Sequence, residues 1–324
     1  MNIQVLRRFC LCILVLPALG ACSINRVAVN AVSDALTGEG GSDVFTGDSD
    51  PELVGDALPF AIKMYEALLD QNPRHRGLIL TTGSLFIMYA NVFVQGPAEF
   101  LPAVRFQDRQ DAVARAKKLY LRGADIIFRG IEQKYPGFAG AGDSLPPILS
   151  KMKKEDTAFL YWTAAGYLSA FSLDPFDSSL GLRVPDLLRY VDRAYELDPG
   201  FNSGALDEFY LLAYSSLPAT MGGDPEKAEI HFKRALEKSG GRLAGPYVSY
   251  AQSVSIPGQD YNGFKSCLEA ALAINPDDDP PNRLVNILSQ RKAKKLLDMA
   301  SDYFFMEDGE WDEEAYEDDD YEYE

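Results

Sequence analysis

The chain has 324 residues and a net charge of −17, with 31 basic against 48 acidic residues, four cysteines and two histidines. That negative surplus repels phosphate backbones and excludes nucleic acid as an expected partner. The cysteines show no C-x-x-C spacing, which argues against zinc, and the length suits one large domain or a solenoid.

The first element in chain order is a leader. Arg7 and Arg8 precede an apolar run over residues 9–16, Pro17 breaks it, and Leu19-Gly20-Ala21-Cys22 follows. These are the three parts of a secretory signal peptide, expected over residues 1–21. The run is far shorter than the roughly twenty residues that a membrane-spanning helix needs. The Leu-Gly-Ala-Cys ending resembles the bacterial lipobox, in which small residues admit the protease and the thiol accepts lipid. Cys22 is therefore the expected lipid attachment site; the other reading is an ordinary signal peptide with an incidental cysteine. With Cys10 and Cys12 removed and Cys22 acylated, Cys267 is left without a disulfide partner. Its apolar neighbours Leu268, Ala270 and Ala271 make it a small buried hydrophobe, a reactive thiol being the alternative. Ser23, not aspartate, follows Cys22, which permits outer-membrane delivery.

Residues 22–50 are rich in Gly, Ser, Asp and Thr and read as a flexible tether. A short helix over 24–36 is compatible with Ile24, Val27, Ala31 and Ala35 on one face. From 51 to 305 apolar residues recur at intervals of three and four and alternation is almost absent, so the domain is all-α. Asp224-Pro225 and Asp279-Pro280 place N-caps before first-turn prolines. Asn72-Pro73, Asp198-Pro199 and Asn275-Pro276 each end a helix.

Those prolines reveal a repeat. One spacing recurs in Ala61, Tyr65, Leu68 and Pro73; in Leu187, Val191, Ala194 and Pro199; in Ala228, Phe232, Ala235 and Gly240; and in Phe264, Leu268, Ala271 and Pro276. It is the second-helix pattern of the tetratricopeptide unit. Gly83 with Phe86, and Trp162 with Ala165 and Gly166, fit the first helix. Small residues at these positions let helix axes approach closely. The expected architecture is a tetratricopeptide-like helical hairpin solenoid, capped by a C-terminal helix over 282–304 with Lys292, Lys294 and Lys295 on its outer side. A non-repeating helical bundle is the alternative. A helix over 78–94, a long helix over 108–134 and a loop over 135–154 interrupt the array. Residues 306–324 hold twelve acids and no Lys or Arg, which predicts a disordered acidic tail. It acts as a solubiliser or, through Trp311, Tyr316, Tyr321 and Tyr323, as a grip on a basic partner.

No catalytic motif occurs, and His75 and His231 fall on different hairpins, one as a surface or capping residue and one partly packed. The chain is expected to be no enzyme and to need no cofactor or metal. A solenoid of this kind binds along its concave face. Asn91 and Gln95 interrupt an apolar helix, and burying such amides unpaired costs roughly 1–3 kcal/mol each, so they should meet a cavity, a partner or each other. Tyr210 with Tyr214, and Asn286 with Gln290, share that four-residue spacing, and Tyr161, Trp162 and Tyr247 are the aromatic candidates. Interhelix hydrogen bonds and core aromatics are the competing reading for each.

Several ordered strings carry a family resemblance: Arg74-His75-Arg76-Gly77-Leu78, Tyr89-Ala90-Asn91-Val92-Phe93-Val94-Gln95, Ala116 to Gly123, Tyr161 to Gly166, Met221-Gly222-Gly223-Asp224-Pro225, and Leu284 to Ala293. Over about residues 51–305 the chain resembles the T component of TRAP (tripartite ATP-independent periplasmic) transporters. The resemblance implies a periplasmic lipoprotein of tetratricopeptide hairpins. It also implies association, often as a trimer, with the transporter's substrate-binding protein, and delivery of a hydrophobic ligand. The alternative is a tetratricopeptide scaffold lipoprotein in envelope assembly or secretion machinery. The tail after Phe305 lies outside the resemblance.

Overall fold

The computed structural model describes residues 30–37 and 43–305. Every regular element among them is helical. The main helices are α1 (Pro51–Gln71), α2 (Arg76–Tyr89), α3 (Phe106–Lys134), α4 (Thr157–Leu173) and α5 (Val184–Leu197). They continue with α6 (Ala205–Ser216), α7 (Pro225–Ser239), α8 (Gly245–Tyr250), α9 (Tyr261–Leu272) and α10 (Arg283–Asp298).

Local chemistry sets the boundaries. Asp50 accepts from the Leu53 N–H ahead of Pro51, and Asp224 accepts from the Lys227 N–H ahead of Pro225, each satisfying an orphan donor of the first turn. Asn72 and Asp198 close α1 and α5, as the prolines after them predict. His75 is the N-cap of α2: its Nδ1 accepts from the Leu78 N–H at 3.1 Å. With Nδ1 an acceptor, the proton sits on Nε2, which donates to Asp34 at 2.9 Å. Asp279 differs from expectation. A short 3-10 turn, Pro280–Asn282, intervenes before α10, and the Asp279 side chain bonds the Asn282 amide rather than a helix N–H.

Successive helices pack on one another from α1 to α5, and again in the pairs α6/α7, α8/α9 and α9/α10. Helix α2 runs on through a π turn, Ala90–Gln95, into Gly96–Glu99. It touches α1, α3 and α4, which explains why it is apolar all round. By length and composition it would also pass for a membrane span, but half of that stretch is buried inside the protein. The repeat positions Tyr65, Leu187, Val191, Ala194, Ala228, Ala235, Phe264, Leu268 and Ala271 are all buried.

Three features depart from expectation. Part of the tether is docked: residues 30–37 are helical, the Tyr65 hydroxyl donates to Leu36 O at 3.0 Å, and Leu36 and Phe45 pack on the core. Two apolar anchors suffice to hold a segment with no sustained period. The 135–154 loop is likewise packed, with Phe138, Leu145, Leu149 and Met152 buried. Finally, α10 returns to the start of the chain. Arg291 pairs with Glu52, Arg283 donates to Gly47 O at 2.8 Å, Lys292 pairs with Glu99 at 2.8 Å and Lys295 lies over the Phe100 ring at 5.3 Å. Lys294 and Lys295 are exposed, as expected of an outer side, while Lys292 is half-buried against Glu99. The remainder of the expected tether, the leader, Cys22 and the acidic tail lie outside the described residues.

Candidate functional site

The N-terminal end of α4 is anchored by a buried carboxylate. Asp156 accepts from Arg76 at 2.7 Å, Lys134 at 2.8 Å, the Tyr135 hydroxyl at 2.7 Å and the Lys153 N–H at 3.1 Å. Burial alone would raise this carboxyl, but the bonds from Lys134, Tyr135 and Lys153 outweigh it and hold it below the usual range. The next turn of α4 presents Tyr161 and Trp162, whose rings meet edge to face at 5.2 Å.

A second element brings more aromatic surface to that point. The turn Phe201–Gly204 is left-handed at Asn202 (φ 42°), Ser203 (φ 54°) and Gly204 (φ 103°). Such a run costs on the order of 1 kcal/mol per non-glycine residue. Glycine ends it because a Cβ at 204 would stand 3.2 Å from the Ala235 backbone on α7. The turn sets Phe201 against Tyr161 at 5.3 Å, and α6 adds Phe209 at 6.5 Å.

Glu208 completes the cluster from α6. It accepts from the Ser249 hydroxyl at 2.7 Å, and the lack of a side chain at Gly245 leaves room for it, since a Cβ there would sit 3.2 Å from its Oε1. Glu208 and Tyr161 are only partly covered. Yet burial pushes the Glu208 carboxyl and the Tyr161 phenol up, the nearby Glu208 charge adding to the latter. The result is a partly exposed aromatic recess beside one carboxyl whose pKa burial raises. It suits an apolar body and offers a single polar handle.

The other sequence candidates lie elsewhere. Asn91 donates to the Tyr120 hydroxyl at 3.2 Å, that hydroxyl donates to Gln95 at 2.6 Å, and Gln95 donates to Glu99 at 3.0 Å. These two amides are joined through one buried phenol, so the spacing reflects an interhelix network. Tyr210 is buried, donates to Asp192 at 2.5 Å and stacks on Tyr214 at 5.6 Å. Tyr214 in turn stacks on His231 at 5.6 Å. Tyr247 meets Phe232 edge to face at 5.8 Å. Asn286 is fully buried: it accepts from the Ala244 N–H and donates to Arg242 O, both at 2.9 Å. Gln290 donates to carbonyls at and just beyond the end of α9, at 3.0 Å to Ala271 O and 2.6 Å to Ile274 O. Both amides on α10 serve as caps for neighbouring helices. Of the sequence candidates, Tyr161 and Trp162 form the recess, and Tyr210 abuts it, edge to face with Phe209 at 6.2 Å.

His231 bonds Asp207 at 2.8 Å, and Asp207 also accepts from Lys238 and from Tyr195 at 3.1 Å. This is a buried ionic junction between α5, α6 and α7. The Cys267 thiol is pushed up to about 11 by burial, which leaves it protonated and unreactive at neutral pH.

Phe201, Glu208, Phe209 and Ser249 were not identified from the sequence. Asp207 and Glu208 are first-turn acids of α6, a placement that favours a helix start and does not by itself mark a site. Nothing in the chain order says that Phe201 and Phe209 would converge on Tyr161.

Residues 47–304 match the family model described as TRAP transporter T-component. The chain belongs to the TRAP transporter T-component family. It is also similar to a protein of Treponema pallidum (strain Nichols) described as uncharacterized, 38% identical over 300 residues, covering 87% of this chain and 93% of that one. Membership implies association with a TRAP transporter, as an accessory transporter component. The strings that carried the resemblance all fall inside the matched span. The aromatic recess therefore belongs to the T-component domain itself.

Proposed function

We propose that this T-component is a periplasmic adaptor, anchored through lipid on Cys22, whose aromatic recess engages the transporter's substrate-binding protein or the hydrophobic molecule that protein carries. The observation that carries the reading is the convergence of Trp162, Phe201 and Phe209 on Tyr161, beside the partly accessible Glu208. Aromatic side chains at a partly open surface give large contact area for little ordering entropy and dominate binding energetics. The leader ending in Leu-Gly-Ala-Cys supports the anchor and the compartment. The pairing of α4 with α5, α6 with α7 and α8 with α9, and the buried repeat positions on α5, α7 and α9, support tetratricopeptide-like hairpins with α10 as the cap. Assembly as a trimer rests on the family resemblance.

The test is an affinity capture from detergent-extracted envelope with tagged protein. It should enrich a periplasmic substrate-binding protein above a Cys22-anchored control of unrelated fold, and replacing Tyr161 and Trp162 by alanine should abolish that enrichment. Capture of membrane-embedded assembly proteins, with no substrate-binding protein, would assign the chain to an envelope scaffold instead.

A further inference from the structure

A cavity elsewhere in the fold shares no lining residue with the aromatic recess. It has a volume of about 300 Å³ and lies between α3, α4, α5 and the packed 135–149 segment. That is the lower end of the size range of small-molecule sites. Its walls are aromatic: Phe128 and Phe138 at 5.6 Å, Phe138 and Tyr190 at 4.9 Å, and Phe128 against Tyr167 at 6.1 Å. Leu187 closes the floor among them.

The cation of this pocket is Arg183. Its guanidinium lies over Tyr167 at 4.3 Å and over Phe128 at 5.4 Å, and it interacts with the Tyr167 hydroxyl. The nearby carboxylates are engaged with other groups: Asp186 with Arg189 at 3.0 Å, Asp125 with the Tyr167 hydroxyl at 2.5 Å and Asp177 with Lys117 at 2.8 Å. An arginine stacked on aromatic faces is held in one plane, and its planar fork has the bidentate geometry that suits an oxyanion. A second cation in the same box would be repelled by Arg183. Asp186, which lines the pocket even while paired with Arg189, would repel a dianionic phosphate about twice as strongly as a carboxylate monoanion.

We propose that this pocket binds an organic carboxylate with an apolar or aromatic body, the carboxylate on Arg183 and the body between Phe138, Tyr190 and Leu187. It is a small-molecule site of the T-component distinct from the recess that contacts partners.

Isothermal titration calorimetry on the full chain in lipid nanodiscs, with empty nanodiscs as control, tests this. 4-Phenylbutyrate should bind at least tenfold more tightly than 4-phenylbutan-1-ol, and 3-phenylpropyl phosphate should bind more weakly than the carboxylate. Arg183→Gln should remove the preference for acid over alcohol. Ala141→Phe, which fills the pocket from the 135–149 segment, should abolish binding of both while the melting temperature stays close to that of the unaltered chain. Equal binding of acid and alcohol, retention of the preference in R183Q, tighter binding of the phosphate, or no binding at all would overturn the proposal. None of these outcomes bears on capture of a partner through Tyr161 and Trp162.

Discussion

Gly83 and Gly123 face each other across the α2–α3 contact so closely that a Cβ built on Gly123 would stand 2.5 Å from the Gly83 carbonyl oxygen. The obstacle is backbone on a helix that is itself packed against three others. Neither side can yield by turning a rotamer. Gly123→Ala should therefore destabilise the fold by about 2–3 kcal/mol, within the range for overpacked cores. At this size that lowers Tm by roughly 5 °C or more. Differential scanning calorimetry checks it, and an unchanged Tm would show that α2 and α3 are not in this contact.

Glu208 gives a pH dependence with a definite sign. Its folded carboxyl is raised by burial, so the folded state holds the proton more tightly than the unfolded chain, where a glutamate titrates near pH 4.3. The stabilising contribution is complete below that value and is lost as pH rises through the folded pKa. Glu208→Gln removes the loss. Its Tm relative to the native chain should climb from about pH 4 upward, and parallel profiles for the two proteins would contradict the desolvated placement.

Asp156 runs the opposite way. Its folded carboxyl is depressed, since bonds from Lys134, Tyr135 and Lys153 outweigh burial. Its contribution is present above the unfolded pKa near 3.9 and disappears as pH falls through the folded value. Asp156→Asn should cost about 3 kcal/mol at pH 7, because Lys134 and Arg76 then lose their shared counter-charge in a buried setting. The variant should also show a shallower loss of stability below pH 4, which acid titration followed by circular dichroism will register.

The two classes of sequence candidate should separate experimentally. Asn286→Ala leaves the Ala244 N–H and the Arg242 carbonyl unpaired inside the protein, at about 2–4 kcal/mol, and should lower Tm without weakening partner capture at temperatures where it is folded. Trp162→Ala should do the reverse, weakening capture at least tenfold. If N286A reduced capture as strongly as W162A while remaining folded, Asn286 would belong to the binding surface after all.

Cys22→Ser should move the protein from the membrane pellet to the soluble periplasmic fraction, because one thiol is the expected site of acylation. Fractionation followed by immunoblotting reports it. Retention in the pellet would mean that something other than lipid on Cys22 holds the chain there.

Much of the architecture was legible beforehand. The three- and four-residue apolar period and the Asp-Pro and Asn-Pro boundaries depend on neighbours within a turn or two. A reader of the chain can evaluate those interactions without knowing the fold. The same locality explains why His75 could be read as a cap, since the Leu78 N–H it serves lies three residues on.

The site was only half legible. Tyr161 and Trp162 advertise themselves as large aromatics on a first helix, but Phe201, Glu208 and Ser249 become neighbours of that point through a left-handed turn and the α6–α8 contact. Asn91 and Asn286 illustrate the converse. A polar residue in an apolar helix says that a partner must exist, yet only the fold shows it to be a phenol on α3 or the backbone before α8.

The chain order alone determined an all-helical domain and an acidic C-terminal stretch, because each of these follows from local periodicity, caps and composition. Tertiary structure alone decided that α10 folds back to meet Glu52 and Glu99, that residues 30–37 dock on Tyr65, and that Arg183 sits among aromatic rings with its neighbouring acids engaged elsewhere. Those outcomes depend on contacts between residues tens to hundreds of positions apart, whose energies enter only once the helices are placed against one another.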